Sequence, residues 1–263
     1  MNTWSRRLLT WGLRRSHLAL LPVRVRGGIA KGARWSLYPW TSYWRGTHEP
    51  AVQQRLIALW DWTGKVCWDL GAHYGLFAVG LGRRVGPTGA VAAFEPNPAS
   101  YERLQLHVRR NHLTWVQTFP MAVSDKAGRE RFLDYDNFTG TAAHLMHQGE
   151  TWHAGIPTIS VEICRLDDLV AAGRIRAPDF IKLDVEGHGH HALAGARASV
   201  SRTRPVIMAG MHSRQEAEGI LALLEPLGYT RDAIDGAAAD SPENMLGRDF
   251  LFTPTERASS PGA

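Results

Sequence analysis

The chain has only two cysteines, Cys67 and Cys164, in 263 residues, and both sit inside apolar runs. Two thiols cannot build a secreted disulfide framework, so they read as packing residues of a reducing, cytoplasmic setting. No apolar run approaches the roughly 20 residues that a membrane-spanning helix needs. The stretch Leu18 to Val23 follows Arg14, Arg15 and His17, but Pro22 breaks it. Arg24 and Arg26 stand where a signal peptide would carry small residues. Acidic residues are missing before Glu49, whereas Arg6, Arg7, Arg14, Arg15, Arg24, Arg26, Lys31, Arg34 and Arg45 precede it. The positive field of a chain with net charge +5 therefore belongs to its N-terminal arm. Trp4, Leu8, Leu9, Trp11, Leu13 and Leu18 lie among those arginines. That mixture suits peripheral contact with an anionic membrane or a partner protein, and equally a helix packed on its own domain with its arginines solvated.

What is present is an ample core: 44 % of residues are hydrophobic, which excludes disorder of the whole chain and fits one generous domain or a domain with an appendage. Strand and helix patterns alternate, which predicts an α/β sheet with crossover helices. Strands are expected at 66–70, 90–95, 114–123, 131–135, 160–165, 180–185 and 205–211, and helices over 50–62, 99–111 and 215–227, the last closed by Gly228. Segments 229–234 and 248–254, joined by a polar loop, predict a terminal antiparallel pair. The domain plan is a basic arm and cap over 1–60, a main domain over 61–255 and a disordered tail over 256–263.

The most informative stretch runs from Val66 to Phe77, VCWDLGAHYGLF, followed by AVAAFEPNP from Ala90 to Pro98. A strand ends at an acidic residue, a glycine turn opens a helix, and a second strand ends in a carboxylate. Gly71 and Gly75 let backbone pass close to a ligand, and the first helical turn offers free N–H groups. Glu95 at the second strand tip is placed to accept hydrogen bonds from both hydroxyls of a ribose. The glycines are four apart, so the GxGxxG fingerprint of dinucleotide enzymes is absent. This wider turn suits S-adenosylmethionine, with Asp69, Gly71, Ala72, His73, Gly75, Glu95, Pro96 and Asn97 expected around it. Asp69 either holds the ammonium directly or orients the loop. Further on, FIKLDVEGHGHHALAGA over 180–196 puts Lys182 and Asp184 on one side of a strand, with Glu186 at the turn beyond. Asp184 is expected beside the cofactor, and its structural alternative is a helix cap.

Taken together, DLGAHYG, AFEPNP, AVSDKAG (122–128), CRLDDL (164–169) and IKLDVEG with LAGA after it resemble the FkbM-type methyltransferase family, in the family's order, from about Ala33 to Pro254. The resemblance implies a class I, Rossmann-like α/β fold: a seven-stranded mixed sheet with helices on both faces, plus an N-terminal cap. It also implies methylation of a hydroxyl on a sugar, glycan or secondary metabolite, with Tyr43 and Glu49 of YWRGTHEP helping to close the cofactor site. Two positions depart from the family pattern. Gly189 stands where members carry a second glutamate after the EG pair, and Gly210 lies where strand five usually ends near a carboxylate.

Methyl transfer from a sulfonium asks chiefly for alignment, but an alcohol must also lose a proton, which a neutral imidazole suits. His212 just past the fifth strand is the first candidate base, Glu186 the second, and Asp184 completes the expected catalytic group. His188, His190 and His191 point in different directions on a helix and cannot easily meet one ion, so no metal site is expected. His144, His147 and His153 fall in an irregular stretch after Asn137–Gly140 that reads as an acceptor-binding loop. Trp35, Trp40, Trp44, Trp60 and Trp62 suit an aromatic wall for the acceptor or core packing. The rivals are a nicotinamide-dependent oxidoreductase, opposed by the missing GxGxxG and the antiparallel ending, and a binding or assembly protein that has lost catalysis. A basic arm can bind nucleic acid, yet no Asn-Pro-Pro-Tyr-like base-methylating motif is present.

Overall fold

The structure, a computed structural model, describes residues 21–37, 41–133, 158–238 and 240–258. The arm before residue 21, Trp40 and the segment holding Asn137–Gly140, His144, His147 and His153 lie outside the described residues. Seven strands form the main sheet: β3 (Val66–Leu70), β4 (Ala90–Phe94), β5 (Val116–Phe119), β9 (Phe180–Leu183), β10 (Val206–Met211), β11 (Tyr229–Ala233) and β12 (Arg248–Pro254). Their spatial order is β11-β12-β10-β9-β3-β4-β5. All neighbours are parallel except β12, which runs antiparallel to both β10 and β11. The order reverses beside β3, which leaves a crevice at the carboxyl ends of β3, β4 and β9.

Alternation along each strand sorts its side chains onto two faces. Cys67, Val91, Ala93, Phe180, Met208 and Leu251 face one core, shared with helices α2 (Leu76–Val85) and α3 (Pro98–Arg110). Trp68, Ala92, Phe94, Ile181, Ile207 and Phe250 face the other. That second core is closed by α4 (Leu166–Ala171), α5 (Gly189–Ala194), α6 (Arg197–Thr203) and α7 (Arg214–Leu224). Helices thus cover both faces of a sheet whose strands are buried on both sides.

The single strand expected over 114–123 is two, because Pro120 has no N–H to donate to a ladder. After the break the chain leaves the main sheet. Strand β6 (Met121–Val123) pairs in parallel with β8 (Thr158–Cys164), which pairs antiparallel with β7 (Gly128–Leu133) in a separate three-stranded sheet. Helix α1 (Pro50–Leu59) stops before Trp60, which is extended. Cys67 and Cys164 are free, buried thiols. Residues 256–258 of the expected tail are ordered, since Thr255–Ala258 form a helical turn, α8, held by the Arg204–Glu256 ion pair at 2.8 Å, and residues 259–263 lie outside the described residues.

Within the expected arm and cap, residues 21–37 and 41–60 pack onto the main domain. The hairpin of β1 (Pro22–Arg24) and β2 (Arg34–Ser36) packs Ile29, Ala33 and Trp35 into the first core, along with Val52 and Leu56 of α1. Trp35 and Trp62 are buried there, and Trp44 and Trp60 pack against it, so these tryptophans serve the core. His107 of α3 fastens the hairpin. Its ring stacks on Trp35 at 3.6 Å, Nε2 accepts from the Ser36 N–H at 3.2 Å, and Nδ1 donates to the Tyr74 carbonyl at 2.7 Å. Burial pushes its pKa down to about 3 from 6.5, so the ring is neutral. Its contribution is full above pH 6.5 and is lost as the pH falls toward about 3, because the unfolded chain takes up the proton first. His107→Leu is expected to lower unfolding stability at pH 7 by about 2 kcal/mol, by orphaning the Ser36 N–H and the Tyr74 carbonyl. Urea titrations at several pH values should also show a flatter decline below pH 6 in the variant.

Candidate functional site

Three strand tips converge on one cavity of about 1010 Å³, its open mouth included. The turn after β3 presses against the loop after β9. Gly71 has φ +83°, and an added Cβ would lie 1.9 Å from the Asp184 carbonyl oxygen. Glycine is needed here on both counts. The Gly71 and Ala72 N–H groups donate to the Phe94 carbonyl at 3.1 and 2.9 Å, tying the same turn to the tip of β4. Glu95 follows directly. Its Oε2 accepts from the His73 N–H at 2.7 Å and its Oε1 from the Asn97 N–H at 2.8 Å. Burial pushes its pKa up to about 7 against the pull of those two donors. His73 has φ 48°, stacks on Tyr74 at 3.9 Å and shares a 2.8 Å hydrogen bond between Nδ1 and the Tyr43 hydroxyl.

Of the residues expected around the cofactor, Gly71, Ala72, His73, Glu95 and Pro96 line this cavity, as do Tyr43 and Glu49. Asp69, Gly75 and Asn97 do not line it, and the two last have structural tasks. Asp69 is fully buried, opposite Lys182 in the β3–β9 register, and burial raises its pKa to about 6. It stands behind the cavity wall beside that lysine, with both carboxylate oxygens buried. Gly75 starts α2 at φ +89°, where a Cβ would come 2.7 Å from Leu104 Cδ1. Asn97 caps α3, its Oδ1 accepting from the N–H groups of Ala99 and Ser100 at 3.0 and 3.1 Å.

The other end of the cavity carries the expected catalytic trio. Lys182 Nζ donates to Asp184 Oδ2 at 2.8 Å and sits 4.6 Å above the Phe77 ring. His212 Nε2 meets Asp184 Oδ1 at 2.9 Å, and its Nδ1 lies 3.3 Å from Glu186 Oε2. Burial opposes ionisation of Asp184, yet Lys182 and His212 outweigh it and hold the carboxyl far below the usual range. Burial also opposes the charge on His212. The hydrogen bond and charge of Asp184, with Glu186 and Glu216, win and raise its pKa to about 9. At neutral pH the free protein therefore holds an imidazolium between two carboxylates, not the neutral imidazole that the sequence suggests. His188 also lines the cavity and meets Ser124 at 3.0 Å, while on α5 His191 meets Asp125 at 3.0 Å and the His190 and His191 rings are 4.1 Å apart.

Sequence reasoning missed Asp249. It faces Gly210 across the antiparallel β10–β12 ladder. A Cβ on Gly210 would lie 3.2 Å from His212 Nε2, 3.3 Å from Asp249 Oδ1 and 3.4 Å from Asp184 Oδ1. Glycine thus lets an imidazole and two carboxylates converge over bare backbone. No motif signals this, because the register of an antiparallel insertion is not written in either strand. Burial, with the charges of Glu49 and Asp184, raises the Asp249 pKa to about 6.

Among the described residues, four carboxylates, Glu49, Glu95, Asp184 and Glu186, line the cavity against the Lys182 ammonium and the His212 imidazolium. That imbalance suits a cationic ligand. Lys182 is the buried counter-charge that makes it tolerable. Lys182→Met is expected to cost about 3 kcal/mol at pH 7, the scale for stranding a buried charge. Denaturant titration should find the loss smaller near pH 3, where an Asp184 freed of Lys182 takes up a proton.

Residues 69–231 match the family model described as the methyltransferase FkbM domain. Among curated proteins, the 31-O-demethyl-FK506 methyltransferase FkbM of Streptomyces tacrolimicus is 31 % identical over 64 % of this chain and 73 % of its own. The 2-O-methyltransferase NoeI of Sinorhizobium fredii is 26 % identical over 58 % of this chain and 66 % of its own. The hexuronic acid methyltransferase AglP of Haloferax volcanii is 27 % identical over 60 % of this chain and 61 % of its own. The chain belongs to the FkbM family of S-adenosylmethionine-dependent methyltransferases.

Proposed function

We propose that this protein transfers the methyl group of S-adenosylmethionine to a hydroxyl oxygen of a small-molecule or glycan acceptor, a sugar or secondary metabolite. The observation that carries this reading is the Asp184–His212–Glu186 group on the wall of the cavity that Glu95 also lines. Glu95 is the acceptor for the ribose hydroxyls, and the Gly71–His73 turn takes the methionine portion. The bound cofactor supplies a methyl group on a sulfonium, already activated for transfer to oxygen. This chain's residues must then align the acceptor and accept its proton. Positive charge arriving in the cavity opposes the proton on His212, lowering its pKa from about 9 toward neutrality. His212 then takes the acceptor's proton, and Asp184 and Glu186 stabilise the imidazolium that results. The three curated relatives are named for methylation of 31-O-demethyl-FK506, of a 2-O position and of a hexuronic acid, which supports an oxygen acceptor.

We place the protein in the cytoplasm, a setting that two free, buried thiols favour. The arginine-rich arm with its interleaved tryptophans and leucines favours a peripheral membrane or protein contact.

Incubation with isotopically labelled methyl donor and a panel of hydroxylated glycans and metabolites should give a mass-shifted O-methyl product. Transfer only to nitrogen or carbon would contradict the reading. His212→Ala is expected to lower kcat by about 10² to 10⁴ with little change in donor affinity. Glu95→Gln should weaken cofactor binding about tenfold by calorimetry. Because ribose hydroxyls donate to the ionised carboxylate, wild-type affinity should rise as the pH passes through about 7, and in Glu95→Gln it should not.

A further inference from the structure

Glu216 has no place in the chemistry above, yet it is a fully buried carboxylate four residues from His212. Both of its oxygens are committed to backbone. Oε2 accepts from the His212 N–H at 2.8 Å, and Oε1 accepts from the Gly189 N–H at 2.8 Å. One side chain on α7 therefore bridges the loop after β10, which carries His212, and the start of α5, just beyond the turn that carries Glu186. The position is not incidental to helix capping, because Ser213 already caps α7 by accepting from the Glu216 N–H at 3.1 Å. An Asp or Glu in a first turn ordinarily sits in solvent facing the helix dipole. This one is buried and turned away toward two loops.

The absent side chain at residue 189 belongs to the same arrangement. A Cβ on Gly189 would lie 2.6 Å from Glu216 Oε1, 3.1 Å from Leu183 Cδ2 and 3.3 Å from Ile220 Cδ1. A larger residue at 189 and this pose of Glu216 exclude each other. Gly189, read from the sequence as a lost carboxylate, is thus the vacancy into which the carboxylate of α7 reaches.

We infer that Glu216 is a positioning residue for the transfer reaction, a buried clamp that joins the Gly189 and His212 backbones and so fixes the His212 imidazole between Asp184 and Glu186. This rests on the reading of His212 as the base, and the test separates the two. His212 is faced by Asp184 and Glu186 from the loop after β9, by Asp249 of β12, and by Glu216 of α7, with Lys182 behind Asp184. Charge on Glu216 adds to those that favour the imidazolium. Removing it therefore moves the imidazole midpoint downward, which a merely structural role would not do.

Glu216→Gln keeps the volume, removes the charge and leaves one carbonyl oxygen for two N–H donors. In the folded variant the His212 imidazole midpoint, followed by NMR without cofactor or acceptor, is expected to fall by about half a pH unit or more. The acid limb of the kcat–pH profile should fall with it. Ser213→Ala, which removes only the cap, should lower the thermal midpoint and leave the imidazole titration in place. Gly189→Ala keeps the charge but displaces the carboxylate, and should lower the imidazole midpoint too; it carries the test where Glu216→Gln does not fold. An imidazole midpoint unchanged from wild type in a folded variant would overturn the positioning role. A midpoint that moves while the rate limb stays fixed would uphold the clamp and remove His212 as the base.

Discussion

Lys182 sits where the chain has least room for error. It is a nearly fully buried cation on the fourth strand of the sheet's parallel set, opposite Asp69 and within 2.8 Å of Asp184. Its attraction to Asp184, Glu49 and Asp69 outweighs burial and keeps it charged. Because that charge persists, Asp184 stays ionised, and because Asp184 stays ionised, His212 is held beside it. The ordering of the catalytic end of the cavity descends from one buried ammonium group.

The sheet supplies the geometry that this charge cluster needs. Parallel β3, β4 and β9 end at the same edge, so Gly71, Glu95 and Asp184 arrive together although they are scattered in sequence. Close contact at Gly71 joins the first and third tips, and carbonyl bonding from Phe94 joins the first and second. The hairpin and α1 then cover this edge, with Tyr43 and Glu49 delivered to the cavity and His107 pinning the hairpin from behind. A segment that composition marks as a basic arm is, from residue 21 onward, part of the binding wall and the core.

Much of this was legible because strand tips are marked by local chemistry. Asp69-Leu70-Gly71 and Phe94-Glu95-Pro96 each place an acidic residue beside a strand end, and the antiparallel ending was readable from two apolar runs around a polar loop. Pro120 was visible but its consequence was not, since the residues on either side are equally strand-like and only tertiary pairing sends them to different sheets. The placement of Asp69 and Asn97 behind the cavity wall is illegible for a related reason. Local sequence shows that a carboxylate or amide lies near a turn, but not whether it faces the cavity, is buried behind it as Asp69 is, or caps a helix as Asn97 does. His212 was found, but its charge was not, because that depends on three carboxylates brought from other strands and helices. Gly189 and Gly210 read as losses in sequence, and in three dimensions each is the space that admits a carboxylate from elsewhere, Glu216 in one case and Asp249 in the other.

The excess of acid around the cavity bears on turnover as well as on binding. Among the described residues, Glu49, Glu95, Asp184 and Glu186 outnumber Lys182 and the His212 imidazolium, so the wall favours a ligand that carries positive charge. Methyl transfer converts a sulfonium to a neutral thioether and delivers a proton to the protein. On the proposed reading, the attraction that would hold the cofactor before transfer would be weakened by the reaction itself, and a proton taken up by His212 would return the imidazolium to its place between Asp184 and Glu186. A cavity of this sign would distinguish the two forms of the cofactor by charge alone, and the imidazolium left at His212 is the state in which the free protein rests at neutral pH.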